Sequence, residues 1–194
     1  MINNVSIDFS ELFDAIDKLS AVEPIIIAID GGSASGKTTL ANILSEKYDC
    51  NVFHIDDFFL RPEQRTPERF AEIGGNFDRE RFANEILRAL MQNKDVTYRP
   101  FDCSTQSLKD SITLERKRIN IVEGAYSTHS VLGKYYDLSV FLDIEPNYQR
   151  ERILIRNSQA LAKRFFDEWI PLERRYFEGD KVRERADIVF SISK

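Results

Sequence analysis

Short apolar runs alternate with amphipathic segments along this chain. Near the N-terminus, apolar residues recur at helical spacing, which predicts a first helix within about residues 1–22, ending before Pro24. Those residues are Phe9, Leu12, Phe13, Ile16 and Leu19. Further amphipathic segments predict helices over residues 38–48, 79–91, 148–157 and 161–177.

Between these segments, short apolar runs predict β-strands over residues 25–29, 52–55, 119–122, 138–142 and 188–192. The run at 25–29 does not alternate with polar residues, which is typical of a strand buried on both faces of a parallel sheet. Strands that alternate with helices predict an α/β fold with a parallel sheet sandwiched by helices. Residues 96–99 and 111–114 add a small β-hairpin, as an insertion over about residues 94–117.

Composition narrows the class of protein. The chain has 194 residues, of which 42% are hydrophobic and 30% charged, and this excludes a disordered chain. Its 27 Lys and Arg against 32 Asp and Glu give a net charge of −5, whereas a nucleic-acid binder needs a positive excess. Cys50 and Cys103 form no disulfide framework, and the apolar runs are too short for a bilayer. We therefore expect one domain over residues 1–194, in the cytoplasm, with no nucleic-acid or membrane partner.

Carboxylates follow the predicted strands. Asp30, Asp56 and Glu123 each stand directly at a strand end, and Asp143 follows the fourth run. Open parallel sheets bind their ligands at the carboxyl ends of the strands. The sequence therefore predicts a functional site at this edge of the sheet.

Residues 31–38, Gly-Gly-Ser-Ala-Ser-Gly-Lys-Thr, match the phosphate-binding motif G-x-x-x-x-G-K-[ST] between a predicted strand and a predicted helix. In this motif small residues let backbone N–H groups surround phosphate oxygens, and the helix N-terminus adds a positive dipole end. Lys37 is expected to reach the β- and γ-phosphates of ATP, and the Thr38 hydroxyl is expected to bind Mg²⁺. The candidate ATP-binding residues are Gly31, Gly32, Ser33, Ala34, Ser35, Gly36, Lys37, Thr38 and Thr39.

Other motifs separate the classes of phosphate-loop protein. The D-x-x-G and N-K-x-D motifs of GTPases are absent, and residues 93–96 miss the second by one position. Motor and transporter ATPases need a longer chain with further motifs. A small kinase remains, in which an acceptor and a lid close over the phosphates.

Several segments resemble the uridine kinase and phosphoribulokinase family, in order, from about residue 24 to 190. They are residues 29–39, 54–59, 75–78, 122–124 and 186–189. Nicotinamide riboside kinases, of the same superfamily, carry a very similar Asp-Asp-Phe-Phe segment. The resemblance implies a P-loop nucleoside triphosphate hydrolase fold and phosphoryl transfer from ATP.

By this resemblance, Asp56 is the base near the acceptor hydroxyl, and Phe59 is a wall of the acceptor pocket. A carboxylate within hydrogen-bond reach orients the hydroxyl and accepts its proton. The alternative is that Asp56 or Asp57 caps the turn that follows, and for Asp57 a capping or outer-shell role is expected. Asp78 resembles the aspartate that binds the 2′- and 3′-hydroxyls of the sugar, but it also stands at a helix N-cap position.

Glu123 ends the third strand, where many P-loop proteins carry an acid that holds the magnesium water shell. A carboxylate that bonds to loop amides is the alternative. Family lids also carry arginines, and residues 150–165 are the candidate lid because they are rich in positive charge. Its candidate residues are Arg152, Arg156 and Arg164, each of which has a solvated surface role as its alternative.

The acceptor segment departs from the family pattern. Uridine kinases carry a Tyr-Asp-Phe segment followed three residues later by a histidine that contacts the pyrimidine. Here Phe101 replaces the tyrosine, Cys103 the phenylalanine and Gln106 the histidine. Phe101 and Gln106 are therefore candidate substrate-binding residues, while Asp102 is either a pocket residue or a turn former.

The remaining residues have plainer interpretations. His54 is expected to be a satisfied core histidine, and His129 a loop or surface residue. Trp169 and Phe165 are expected in the core of the long helix. The insertion at 94–117 is a candidate surface for homo-oligomer formation.

The sequence thus predicts an ATP- and Mg²⁺-dependent kinase that phosphorylates the hydroxyl of a small molecule, most simply a nucleoside of the uridine or cytidine type. Nicotinamide riboside, pantothenate and a sugar phosphate are alternative acceptors. A non-catalytic ATP-binding regulatory module is the alternative from another class.

Overall fold

The computed structural model describes residues 7–194. Its strands in chain order are β1 Ile25–Gly31, β2 Cys50–His54, β3 Val96–Tyr98, β4 Phe101–Asp102, β5 Ser107–Leu108, β6 Ile112–Leu114, β7 Ile119–Glu123, β8 Leu138–Ile144 and β9 Ile188–Ile192. Its α-helices are α1 Ser10–Ser20, α2 Lys37–Lys47, α3 Pro67–Ala71, α4 Arg79–Phe82, α5 Arg88–Met91, α6 Pro146–Arg156, α7 Gln159–Arg164, α8 Ile170–Gly179 and α9 Val182–Arg185. π-Helical turns at Ala83–Leu87 and Phe165–Trp169 join α4 to α5 and α7 to α8.

The central sheet has five parallel strands in the order β2-β7-β1-β8-β9. Every residue of the middle strand β1 is buried. Ile25, Ile27 and Ile29 pack against α1 and α2 on one face, whereas Ile26 packs in an aromatic cluster on the other. The sheet is therefore covered on both faces, and the predicted α/β sandwich is confirmed.

The insertion between α5 and β7 consists of two small antiparallel pairs. β3 pairs with β6, and β4 pairs with β5. Val96 and Tyr98 are buried in the aromatic cluster, while Thr97 points outward and its hydroxyl bonds to that of Thr113. The hairpin packs one face on the domain and brings Phe101 back toward the sheet edge.

Four helical regions differ from the predictions, and one of them is the short helix α9 at Val182–Arg185, which was not predicted. The segments predicted as single helices at 79–91 and 161–177 each contain a π-helical turn. The short helix α3 was not predicted, although Thr66 caps it by accepting a hydrogen bond from the Arg69 N–H. Of the predicted helix at 1–22, residues 1–6 lie outside the described residues, and α1 occupies Ser10–Ser20. No helix within residues 7–194 is both long and apolar enough to cross a membrane.

His129 lies in the loop after β7, as predicted, but it is buried and not at the surface. The Val131 N–H donates to His129 Nδ1 at 3.3 Å, so Nε2 carries the proton and donates to the Ile73 carbonyl at 3.1 Å. Both ring nitrogens of the neutral form are thereby satisfied. Burial lowers the pKa of His129 from its ordinary value of 6.5, against the opposing charge of Asp180.

Because the unfolded chain binds a proton at His129 more readily, the free energy of unfolding is expected to fall as the pH drops through 6.5. Each unit by which the pKa is lowered contributes about 1.4 kcal/mol to this loss. Urea unfolding of wild type and His129→Gln between pH 5 and 8 measures it, and the variant should lose less stability in acid. His54→Gln is the control: the pKa of His54 is raised, so its removal changes the slope in the opposite direction. Equal slopes for wild type and His129→Gln would refute this account.

Candidate active site

The phosphate loop links β1 to α2, and its backbone conformation requires glycine at two positions. Gly31 has φ +148°, and a Cβ there would lie 2.6 Å from the Leu142 carbonyl oxygen. Gly36 has φ +107° and is the residue before the first turn of α2. A side chain at either position would therefore strain the loop. The loop opens a helix at the carboxyl end of the middle strand, as the motif predicted.

Lys37 folds back over the loop. Its Nζ donates to the carbonyls of Gly31 at 2.9 Å and Gly32 at 3.0 Å. Ser35 Oγ is buried in the same loop, and it has no hydrogen-bond partner among residues 7–194. A free hydroxyl and an ammonium group in a loop of small residues suit the oxygens of a phosphate chain.

Glu123 joins the phosphate loop to β2. The Thr38 hydroxyl donates to its two carboxylate oxygens at 3.3 and 3.4 Å, and His54 Nδ1 lies 2.6 Å from Oε1. The pairing of β2 with β7 sets His54 directly opposite Glu123. Its hydrogen bond to Glu123 raises the pKa of His54. His54 is not a core residue as expected, since 43% of its side chain is exposed.

Asp56 follows β2 in a 3-10 turn, Ile55–Phe58, and lines the same cleft as Lys37. Its pKa is raised, first by desolvation and then by the carboxylate of Glu123, while the charge of Lys37 opposes both. A carboxylate with a raised pKa accepts a proton more readily than an ordinary aspartate. Asp57 lies beside Tyr98 and does not line the cleft, and burial raises its pKa as well. The two adjacent aspartates thus have different surroundings.

One cleft of about 720 Å³ contains most of the predicted site. The predicted residues on its wall are Ser33, Ala34, Gly36, Lys37, Thr38, Thr39, Asp56, Phe59, Phe101, Gln106, Glu123, Arg152, Arg156 and Arg164. Residues on the wall that the sequence did not single out include Arg65, Asn76, Tyr126 and Glu173. Phe165 and Trp169, expected in the helix core, also line the cleft, with ring centroids 4.5 Å apart. The phosphate loop, the acceptor candidates and the lid arginines therefore face one space.

Asp78 lies apart from the cleft wall and is 1% exposed. It caps α4 by accepting from the Arg81 N–H at 3.1 Å, and it accepts from Gln64 Nε2 at 3.0 Å. The capping alternative is therefore observed. Sugar binding by Asp78 stays a prediction.

The acceptor end of the cleft is lined by Phe59, Phe101, Gln106 and Arg65. Gln106 has φ +57° at the tip of the β4–β5 turn, and its Nε2 donates to the Cys103 carbonyl at 2.5 Å. The Arg65 guanidinium lies 5.8 Å from the centre of the Phe101 ring and donates to the Leu60 carbonyl at 2.8 and 3.0 Å. Asp102 bonds to Ser104 and is a turn former.

The lid arginines come from two helices. Arg152 and Arg156 are one turn apart on α6, and Arg164 ends α7. The Arg164 guanidinium pairs with Glu168 at 3.1 Å and lies 4.9 Å from the centre of the Trp169 ring. These guanidinium groups face the cleft that holds the phosphate loop, which is where a phosphoryl transfer needs positive charge.

A buried polar network lies behind the loop. Asp30, the residue before the motif, accepts from the Gly31 N–H, the Thr128 N–H and hydroxyl, and the Tyr176 hydroxyl, all at 2.7–2.9 Å. Its burial is complete, and desolvation raises its pKa. This network joins β1, the loop after β7 and α8.

Metal binding at this site depends on few protein ligands. Within the described part of the chain, no three His, Cys, Asp or Glu residues are grouped to hold a metal ion. Mg²⁺ in phosphoryl-transfer sites uses one or two carboxylates together with substrate phosphates, and seldom an all-protein cage. The oxygen donors of Thr38 and Glu123 beside the phosphate loop fit that mode of binding.

A phosphate loop, a strand-end aspartate and cleft-facing arginines on an α/β sheet define a P-loop kinase. No family model matches the chain. Uridine kinase from Chlamydia pneumoniae is 25% identical over 182 residues, which cover 85% of this chain and 80% of that protein. Uridine kinase from Geobacillus kaustophilus is 29% identical over 155 residues, covering 74% and 72%. A solved structure of a possible uridine kinase from Bacillus stearothermophilus has a TM-score of 0.66 and 26% identity, and the match covers 93% of this chain and 99% of that one.

These matches extend over most of the chain and confirm its resemblance to the uridine kinases. The predicted enzyme class, a phosphotransferase with an alcohol acceptor, is confirmed as well. His54 was predicted to be a core residue with no part in the site, and Glu173 was not singled out from the sequence. One feature of the sequence could have indicated Glu173: it is an acidic residue three positions from both Ile170 and Tyr176, on the buried face of its helix.

Proposed function

We propose that the protein transfers the γ-phosphoryl group of ATP to the hydroxyl of a nucleoside of the uridine or cytidine type. The observation that carries this proposal is Asp56 in one cleft with Lys37 and the phosphate loop. The names of the similar proteins support the choice of a nucleoside. Both cysteines are free thiols among the described residues, which suits a reducing cytoplasm.

In this proposal the phosphate loop and Lys37 hold the phosphates of ATP, and the lid arginines cover them. Thr38 and Glu123 are the residues that would hold Mg²⁺. When bound, Mg²⁺ neutralises charge on the phosphate oxygens. His54 keeps Glu123 in place through its hydrogen bond at 2.6 Å.

Asp56 acts as the base. It accepts the proton of the acceptor hydroxyl while the new oxygen–phosphorus bond forms and the bond to ADP breaks. The nearby charge of Lys37 favours the ionised carboxylate that this step needs, while desolvation raises its affinity for the proton. These two influences act on the pKa of Asp56 in opposite directions.

The acceptor would bind between Phe59 and Phe101, whose rings suit a flat base. Gln106 offers an amide, although its Nε2 already donates within its own turn. For Asp78 to bind the hydroxyls of the sugar, residues 58–78 would have to rearrange and expose its carboxylate to the cleft. Arg65 favours a second candidate, an acceptor that carries a negative charge, such as a sugar phosphate or pantothenate.

The test is acceptor-dependent release of ADP from ATP and Mg²⁺. The panel contains uridine, cytidine, other nucleosides, nicotinamide riboside, pantothenate and ribulose 5-phosphate. Turnover with uridine or cytidine supports the proposal, and turnover only with the acidic acceptors supports the second candidate. A protein that is thermally stabilised by ATP and Mg²⁺, gains nothing from any acceptor and releases no ADP would instead be a regulatory module.

A further inference from the structure

Ser33, in the first half of the phosphate loop, is held through its backbone and side chain by α6, which carries two of the lid arginines, and by α8, which follows the lid. The Ser33 N–H donates to Glu173 Oε2 at 2.9 Å, and its hydroxyl donates to Oε1 at 2.5 Å. From the other side, Gln149 Nε2 donates to the Ser33 carbonyl at 2.9 Å. Gln149 lies on α6 and Glu173 on α8. The segment between these two residues is therefore attached to Ser33 at both of its ends.

This junction is buried and closely fitted. Glu173 is 5% exposed and Gln149 is 6% exposed. A Cβ at Gly32 would lie 2.8 Å from Gln149 Nε2, so the glycine makes room for the amide. A buried carboxylate is costly unless it is paired. Burial raises the pKa of Glu173, while the charge of Lys37 and the two donors of Ser33 act against that rise.

All three lid arginines lie between the two anchors along the chain. Arg152 and Arg156 follow Gln149 on α6, and Arg164 precedes Glu173. On α8, Tyr176 adds a second tie one turn after Glu173, because its hydroxyl donates to Asp30 at the other side of the loop start. The lid thus has a fixed base that is built onto the phosphate loop itself.

We propose that Glu173, together with Gln149, is a positioning residue that attaches the arginine-bearing lid to Ser33 and so couples the phosphate loop to the lid. This inference rests on the proposed binding of ATP at the loop, and it is independent of which acceptor is used. Loss of the Glu173 contacts releases the first half of the loop and one end of the lid together. Binding of ATP and turnover then fail together, while the acceptor end of the cleft is unaffected.

Glu173→Ala and Glu173→Gln test this coupling in the full-length protein. The single tryptophan, Trp169, lines the cleft, so its fluorescence reports ATP binding without an acceptor. We expect Glu173→Ala to raise the Kd and KM for ATP about tenfold and to lower kcat, with the KM for the acceptor within about twofold of wild type. Glu173→Gln, whose amide can both accept from the N–H and bond to the hydroxyl, should restore ATP affinity to within about threefold.

Glu178→Gln is the matched control, since Glu178 is an exposed carboxylate on the same helix. The proposal is overturned by a Glu173→Ala variant that binds ATP as tightly as wild type. It is also overturned if Glu173→Gln is as weak as Glu173→Ala, because charge and not attachment would then matter. A lower melting temperature with an unchanged KM for ATP would assign Glu173 a structural role only. Fluorescence titration with ATP stays informative even if no acceptor in the panel is phosphorylated.

Discussion

Replacing Asp56 with asparagine is expected to lower kcat for acceptor phosphorylation by about 10²–10⁴-fold, the usual contribution of a positioned base. Asparagine keeps the size of the side chain but accepts no proton from the hydroxyl. The phosphate loop is untouched, so ATP binding should persist. Loss of a negative charge near Lys37 also favours bound phosphates, and the Kd for ATP should not rise.

The measurement is acceptor-dependent ADP release at saturating ATP, with the Kd for ATP from Trp169 fluorescence. Asp57→Asn is the control, because it removes the neighbouring carboxylate in a different environment beside Tyr98. Its effect on kcat should be much smaller. If Asp56→Asn turned over like wild type, Asp56 would be only a turn residue and the base would have to be sought elsewhere in the cleft.

Lys37→Met is the second large effect that we expect. The ammonium group lies within 3.0 Å of two loop carbonyls, at the place where the phosphates of ATP are proposed to bind. Its removal should lower kcat by roughly 10²–10³-fold, as the loss of one preorganised donor to a transition state does, and should weaken ATP binding as well. Single-turnover rates and ATP titrations separate the two losses.

Lys47→Met on the same helix is the matched control, because Lys47 is exposed at the far end of α2. It should leave both the Kd for ATP and kcat near those of wild type. Equal activity in Lys37→Met and Lys47→Met would show that the charge of Lys37 plays no part in transfer.

The sheet was predictable because its strands carry their own signal. The continuous apolar run that became β1 is buried on both faces, so local sequence and tertiary position agree. The phosphate loop was predictable for a related reason, since the positive φ of Gly31 and Gly36 allows few other residues. In both cases the constraint lies within a few adjacent residues.

Contacts between distant residues were not predictable in this way. Glu173 meets Ser33 across 140 positions of the chain, and His54 meets Glu123 across 69. The residues adjacent to Glu173 and His54 in the sequence do not indicate these distant partners. The spacing of apolar residues likewise predicted one regular helix over residues 161–177. A single extra residue within one turn changes so short an apolar pattern very little. Trp169 was therefore assigned to the core when it lines the cleft.

The π-helical turn at Phe165–Trp169 fixes how the lid faces the loop. An α-helix advances about 100° per residue around its axis, so one additional residue within a turn rotates everything before it relative to everything after it. Arg164 lies before this turn, and Glu173 and Tyr176 lie after it. The angle around the helix axis between Arg164 and the side chains of Glu173 and Tyr176 therefore depends on the one additional residue in this turn. Point substitutions preserve that angle, whereas a one-residue deletion inside the turn would rotate Arg164 away from the cleft with every side chain still present.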